Sequence, residues 1–189
     1  MSKILSIHTY GDPVLRTPSQ PVAAITPEIK QLVEDMFTTM HAAQGVGLAA
    51  QQVGRTEAVC VVEIPESYDV EEENGPRLNP DTPLKMAFIN PRITSASAET
   101  CSMEEGCLSF PDIRGQVKRP QSIVVEHLGL DGQTRTTELH GFYARAVQHE
   151  MDHLAGDLFI DRFSHVKRLA IRGKLKRLKD ETLENLQNG

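Results

Sequence analysis

At 189 residues, with 39% hydrophobic and 24% charged side chains, the chain has the size and composition of one globular domain and is too short for two ordinary ones. Its net charge of −6 argues against a general DNA-binding surface, and no apolar stretch reaches the roughly 20 residues that cross a bilayer. Three cysteines, Cys60, Cys101 and Cys107, are an odd number and argue against a disulfide framework. Met1 to Asp12 contain no apolar core of the signal-peptide kind, so the expectation is a cytoplasmic protein without membrane contact.

In chain order, Thr26-Pro27 is a helix start, with Thr as N-cap and Pro at the first helical position. Ile29, Leu32, Val33, Met36, Phe37 and Met40 follow at helical spacing, and Gly45 is the expected stop. Gly45-Val46-Gly47 then permits close backbone approach by a ligand or another strand, or simply ends the helix in a turn. Residues 57–63 form an apolar run of strand length, Ile64 to Lys85 is expected to be a surface loop, and residues 87–90 read as a strand ending at Pro91. Residues 122–128 and 133–139 flank Gly129-Leu130-Asp131-Gly132, a hairpin signal. Helical character resumes near Phe142. In the tail Ile171, Leu175 and Leu178 give a helical stripe. Lys167, Arg168, Arg172, Lys174, Lys176, Arg177 and Lys179 surround it, seven of the chain's 20 basic residues. Short strands around helices without βαβ alternation predict an α+β fold. In it, mainly antiparallel sheets surround a central helix, with an amphipathic N-terminal helix and a C-terminal helix. The expected division is a catalytic domain over 1–163 and a basic helix or tail over 164–189, either part of that domain or an extension of it.

The central helix carries His149-Glu150-Met151-Asp152-His153, an H-E-x-x-H pattern. It sets two imidazoles one turn apart on one face with a carboxylate beside them, as in zinc peptidases. A solvated surface helix can carry the same letters. Phe142 and Ala146, however, run an apolar face into the imidazoles, which suits a pocket floor better. For a third ligand Asp157 is available if the helix continues, but Gly156 favours a stop. Upstream, Cys107 sits beside Gly106; a thiolate with two imidazoles leaves a fourth position open, as catalytic sites require. Otherwise a small buried thiol is the ordinary fate of such a residue, and Cys60, in its apolar run, fits that description.

Three segments together are specific. G-x-G-L-A-A-x-Q at Gly45 to Gln52, E-G-C-L-S at Glu105 to Ser109 and H-E-x-D-H-L-x-G at His149 to Gly156 resemble, in this order, the three signature motifs of peptide deformylases. The resemblance extends from Gly11-Asp12-Pro13-Val14-Leu15-Arg16 to Leu158-Phe159-Ile160-Asp161. It implies an enzyme that removes the formyl group from N-formylmethionyl nascent peptides. By the resemblance Cys107, His149 and His153 bind one divalent metal ion, Fe²⁺ in the cell, with Zn²⁺, Ni²⁺ or Co²⁺ in purified protein. The ion lowers the pKa of its water and so supplies hydroxide. Glu150 becomes the general acid/base, and the Gln52 side chain and the Leu108 backbone N–H become oxyanion donors.

The resemblance also implies strand-like peptide binding along Gly47 and Gly106, with Arg114 near the peptide. The methionine pocket is expected around Val46, Glu105, Phe142 and Ala146. Arg145 stands where some relatives have an aliphatic residue, which bears on the pocket's shape. The basic tail suits a ribosomal RNA surface, or else is a solvated helix. Two other readings compete. A metallopeptidase would keep its activity in Cys107→Ser, and a relative with a purely structural metal would give water no access to the ion.

Overall fold

The computed structural model describes residues 2–188. Helix α1 spans Pro27–Ala42, and its expected N-cap forms: the Thr26 hydroxyl accepts a hydrogen bond from the Ile29 N–H at 3.4 Å. The six apolar residues at helical spacing are all buried. Seven strands follow: β1 Gly47–Ala49, β2 Val59–Glu63, β3 Lys85–Ala96, β4 Thr100–Gly106, β5 Arg114–Pro120, β6 Ser122–Leu128 and β7 Thr134–His140. Helix α2 covers Gly141–Ala155 and helix α3 His165–Asn188. The strands pair antiparallel, in a five-stranded sheet of order β1-β2-β3-β6-β7 and a separate β4-β5 hairpin. The fold class is α+β, as expected.

Strand β2 explains the layering. Side chains alternate across a sheet, yet Val59 to Val62 are all fully buried, so both faces of the strand are covered. Val59 and Val61 join Leu48 and Ile89 in packing against α1. Cys60 and Val62 join Phe88, Val125 and Leu139 in packing against Tyr143, Ala144 and Val147 of α2. Helix α2 therefore lies on one face of the sheet, with α1 on the other. A third cluster, Leu15, Phe110, Ile113, Val117, Phe159, Phe163 and Ile171, fills the space beneath α3. Of the tail's predicted stripe, Ile171 is buried there, and Leu175 and Leu178 pack at its margin. A bond of 2.6 Å between the Thr9 and Thr182 hydroxyls ties α3 to the N-terminal segment. Among the described residues no helix is long and apolar enough to cross a membrane.

One expectation needs correction, and two features go beyond the sequence reading. The strand predicted to stop at Pro91 continues to Ala96 as β3. Proline removes one ladder donor, and the register shifts between Ile89 and Arg92 instead of ending there. The Asn90 carboxamide stabilises that irregularity by pairing at 2.8 Å with both the N–H and the C=O of Val22. The β4-β5 hairpin had no clear signal: β4 is largely exposed, and β5 buries Gly115, Val117 and Arg119 rather than an apolar row. The segment 64–85 is a largely exposed connection, as expected, but it is anchored from within. Asp69 and Asn79 are buried within it, and Arg77 donates to the Asp69 carboxylate at 2.7 Å and to the carbonyl oxygens of Asn79 and Thr82 at 2.8 and 2.6 Å.

Candidate active site

Helix α2 presents the H-E-x-x-H residues and stops where its chemistry ends. Gly156 adopts φ 81, in the left-handed region, and its N–H returns to the His153 carbonyl at 3.0 Å. A Cβ there would also strike the Arg16 carbonyl, so glycine is required twice over. Asp157 lies beyond this stop and is not in the ligand cluster.

The side chains of Cys107, His149 and His153 converge, with one donor atom from each lying within 4.8 Å of the others. The Cys107 Sγ stands 3.3 Å from His153 Nε2. His149 Nδ1 meets Glu105 Oε2 at 2.9 Å, leaving Nε2 as the nitrogen free for the cluster. A tetrahedral ion with bonds of 2.0–2.3 Å holds its donor atoms about 3.3–3.8 Å apart, so this group fits one divalent ion with a small contraction. Glu150, between the two imidazoles in sequence, is buried, and burial pushes its carboxyl up to about 7 against the opposing pull of His149. Its Oε2 and His153 Nδ1 have no hydrogen-bond partner among the described residues. The other carboxylate oxygen lies against Gly47, where an added Cβ would collide with it. That close approach is why the 45–47 segment needs glycine at its last position.

Gln52 faces the thiol. Its carbonyl oxygen accepts the Ala49 N–H at 2.8 Å, which fixes the carboxamide so that its NH₂ lies 3.2 Å from Ser109 Oγ and 3.5 Å from Cys107 Sγ. Leu108 follows the cysteine directly, in the turn closed by the Phe110 N–H and the Cys107 carbonyl at 2.9 Å. The structure therefore brings Cys107, His149, His153, Glu150 and Gln52 into one place, with the Leu108 backbone beside them. A thiol and two imidazoles that could hold one metal ion, beside a buried carboxyl and a clamped carboxamide on an α+β scaffold, are a set of groups suited to hydrolysis.

Residues 4–169 match the family model for polypeptide deformylase. A peptide deformylase of Acinetobacter baumannii (strain SDF) is 43% identical over 175 residues, covering 93% of this chain and 92% of the relative. The crystal structure of peptide deformylase from Ehrlichia chaffeensis superposes with a TM-score of 0.81 at 38% identity, covering 93% of this chain and 96% of that one. A Met-Ala-Ser-bound peptide deformylase structure from Acinetobacter baumannii matches with a TM-score of 0.75 at 38% identity, covering 86% and 100% of the two chains. The chain belongs to the peptide deformylase family, enzymes that remove the N-terminal formyl group of nascent peptides.

Glu105 sits in a buried polar network, its side chain only 6% exposed. Its carboxylate accepts two bonds from Arg119, at 2.7 and 2.9 Å, one from Arg145 at 2.6 Å, and meets His149 at 2.9 Å. Burial alone would raise its pKa, but the bonds from His149 and Arg119 hold it well below the usual carboxylate range. Arg145 is part of the same network and also donates to the Val117 and Cys101 carbonyls at 2.9 and 2.6 Å. Arg119 further bonds Asp152 at 2.8 Å, and Arg162 clamps that carboxylate from outside at 2.7 and 2.5 Å.

Of the remaining expected residues, Val46 and Phe142 are partly buried against the core on the α2 side, and Ala146 is 7% exposed beside them. Gly106 ends β4 opposite Arg114, whose side chain is exposed and reaches Glu104 at 3.3 Å. Sequence reasoning named no role for Arg119, and it quoted Asp152 and Ser109 only as letters of the motifs.

Proposed function

We propose that this chain hydrolyses the N-formyl group of formylmethionyl peptides with Glu150 as general acid/base at a divalent ion held by Cys107, His149 and His153. The observation that carries this reading is the convergence of those three donors within 4.8 Å, next to a buried carboxyl. When bound, the ion supplies Lewis acidity and a water of lowered pKa; Fe²⁺ is the proposed ion in the cell, and Zn²⁺, Ni²⁺ and Co²⁺ suit the same mixed donors.

The protein's own groups do the rest. Glu150 takes a proton from the attacking water and returns it to the amine nitrogen as the C–N bond breaks, leaving formate and a free α-amino group. The Gln52 NH₂, held by the Ala49 N–H on its other side, and the Leu108 N–H face the developing oxyanion. Strand β1 is the edge of the five-stranded sheet, so a peptide can extend along Gly47 by main-chain bonds and meet Gly106 across the cleft, near Arg114. The methionine side chain then lies against Val46, Phe142 and Ala146. Glu105 orients His149 from beside that pocket. The Acinetobacter baumannii peptide deformylase structure with Met-Ala-Ser bound supports a methionine-first peptide. The basic face of α3 is proposed to approach ribosomal RNA in the cytoplasm, where such peptides emerge.

The test is formate release from a formyl-Met peptide by protein loaded anaerobically with Fe²⁺. Glu150→Ala should lower the rate by about 10²–10⁴-fold, the usual worth of a positioned acid/base. No formate from the wild-type protein would refute the reading.

A further inference from the structure

We infer that Tyr68, carried on the segment between β2 and β3, is a specificity-determining residue that closes the far end of the methionine pocket and contacts the substrate thioether. The inference rests on the formylmethionine reading above. On α2, Phe142, Ala146 and His149 follow one another on one face, and seven residues of helix separate Phe142 from His149 by about 10 Å. Ala146 between them is small, so the helix face between the ligand imidazole and the Phe142 ring carries no large side chain. Tyr68 meets the Phe142 ring edge-on, with ring centroids 5.0 Å apart and planes at 80°. Even so, Tyr68 remains 50% exposed, one of few large apolar side chains so presented. A ring packed at one edge and open elsewhere suits a contact completed by ligand.

The segment that delivers Tyr68 is a fixed wall. Asp69, next in the chain, is buried and receives Arg77 at 2.7 Å and the Asn79 carboxamide NH₂. Asn79 in turn pairs with the His140 backbone, accepting its N–H at 2.9 Å and donating to its carbonyl at 3.3 Å, just where α2 begins. Tyr143 donates to the Pro83 carbonyl at 2.9 Å one turn further on. These bonds register Tyr68 against the first turn of α2 and so against Phe142. An aromatic corner of this kind favours a polarisable thioether over a methylene of the same size.

Formate release is to be compared for formyl-Met-Ala and formyl-norleucyl-Ala, which differ only by sulfur against CH₂. The wild-type protein should prefer methionine in kcat/KM by roughly 3- to 10-fold, the reach of sulfur–aromatic contacts. Tyr68→Ala should bring that ratio close to one, with its loss falling on KM more than on kcat. Tyr68→Phe, which keeps the ring, should retain the preference. An unchanged ratio in Tyr68→Ala, or its collapse in Tyr68→Phe with folding intact by thermal melt, overturns the inference. If the wild type releases formate from neither substrate, the function itself falls and this inference with it; wild-type turnover with an unaffected ratio removes only the role of Tyr68.

Discussion

Replacing Glu105 by glutamine tests the buried network most severely. The change keeps the side chain's shape but removes its charge and one acceptor oxygen. With the amide NH₂ in the Oε2 position, Arg119, whose side chain is 1% exposed, would lose one of its two bonds to this side chain, and the neutral oxygen left at Oε1 would still accept from Arg119 and Arg145 but no longer offset their charges. His149 Nδ1 would lose its carboxylate. Breaking one member of a buried ionic group leaves uncompensated charge and costs about 3–5 kcal/mol. For a chain of this size each kcal/mol corresponds to about 2–4 °C in Tm, so metal-free Glu105→Gln should melt roughly 6–20 °C lower. Metal affinity should fall about 10–100-fold as the imidazole loses its orienting partner. Thermal melts in chelator, followed by competition titration with a coloured zinc chelator, read both effects. A Tm within about 2 °C of wild type, the equivalent of less than 1 kcal/mol, would refute the claim that this carboxylate holds two guanidinium groups in the interior.

Gly47→Ala should push the Glu150 carboxyl off its position, because the new methyl collides with it; a displacement of that order costs about 10²-fold in formate release, with fold intact by circular dichroism. A rate within threefold of wild type would show that the glycine serves only the backbone. His127 is 2% exposed, packed on Phe88 with ring centroids 4.7 Å apart. Burial, assisted by the charge of Arg135, pushes its pKa below the ordinary histidine range. The folded state therefore binds the proton less readily than the unfolded one. The stability this group contributes is complete above about pH 6.5 and is lost as pH falls from there toward its folded value. His127→Gln should flatten the dependence of Tm on pH between about 5 and 7. Identical slopes in both proteins would contradict this.

Much of the site was legible because its chemistry uses distinctive letters at fixed spacing. The H-E-x-x-H helix, its stop at Gly156 and the cap at Thr26 follow from local rules that tertiary packing did not override. The β4-β5 hairpin was not legible, since its inward positions include Glu105 and Arg119, residue types that propensity places outside. A buried guanidinium can be recognised only once its carboxylates are located in space. The same holds for Tyr68, Asp69, Arg77 and Asn79: proline-rich, acidic sequence marks a loop, and nothing local shows that such a loop is anchored by a cooperative polar lock.

The double coverage of β2 has a consequence for how this chain tolerates change. Val61 reports to α1, while Cys60, one residue away, packs on the side of α2, with Glu150 near enough for its charge to join burial in raising the thiol's pKa. Variation along this one strand should alternate in phenotype with a period of two. One set of positions would be filtered by melting temperature alone and the interleaved set by turnover as well, so that a single pleated ribbon separates two selective pressures 3.3 Å apart along its length.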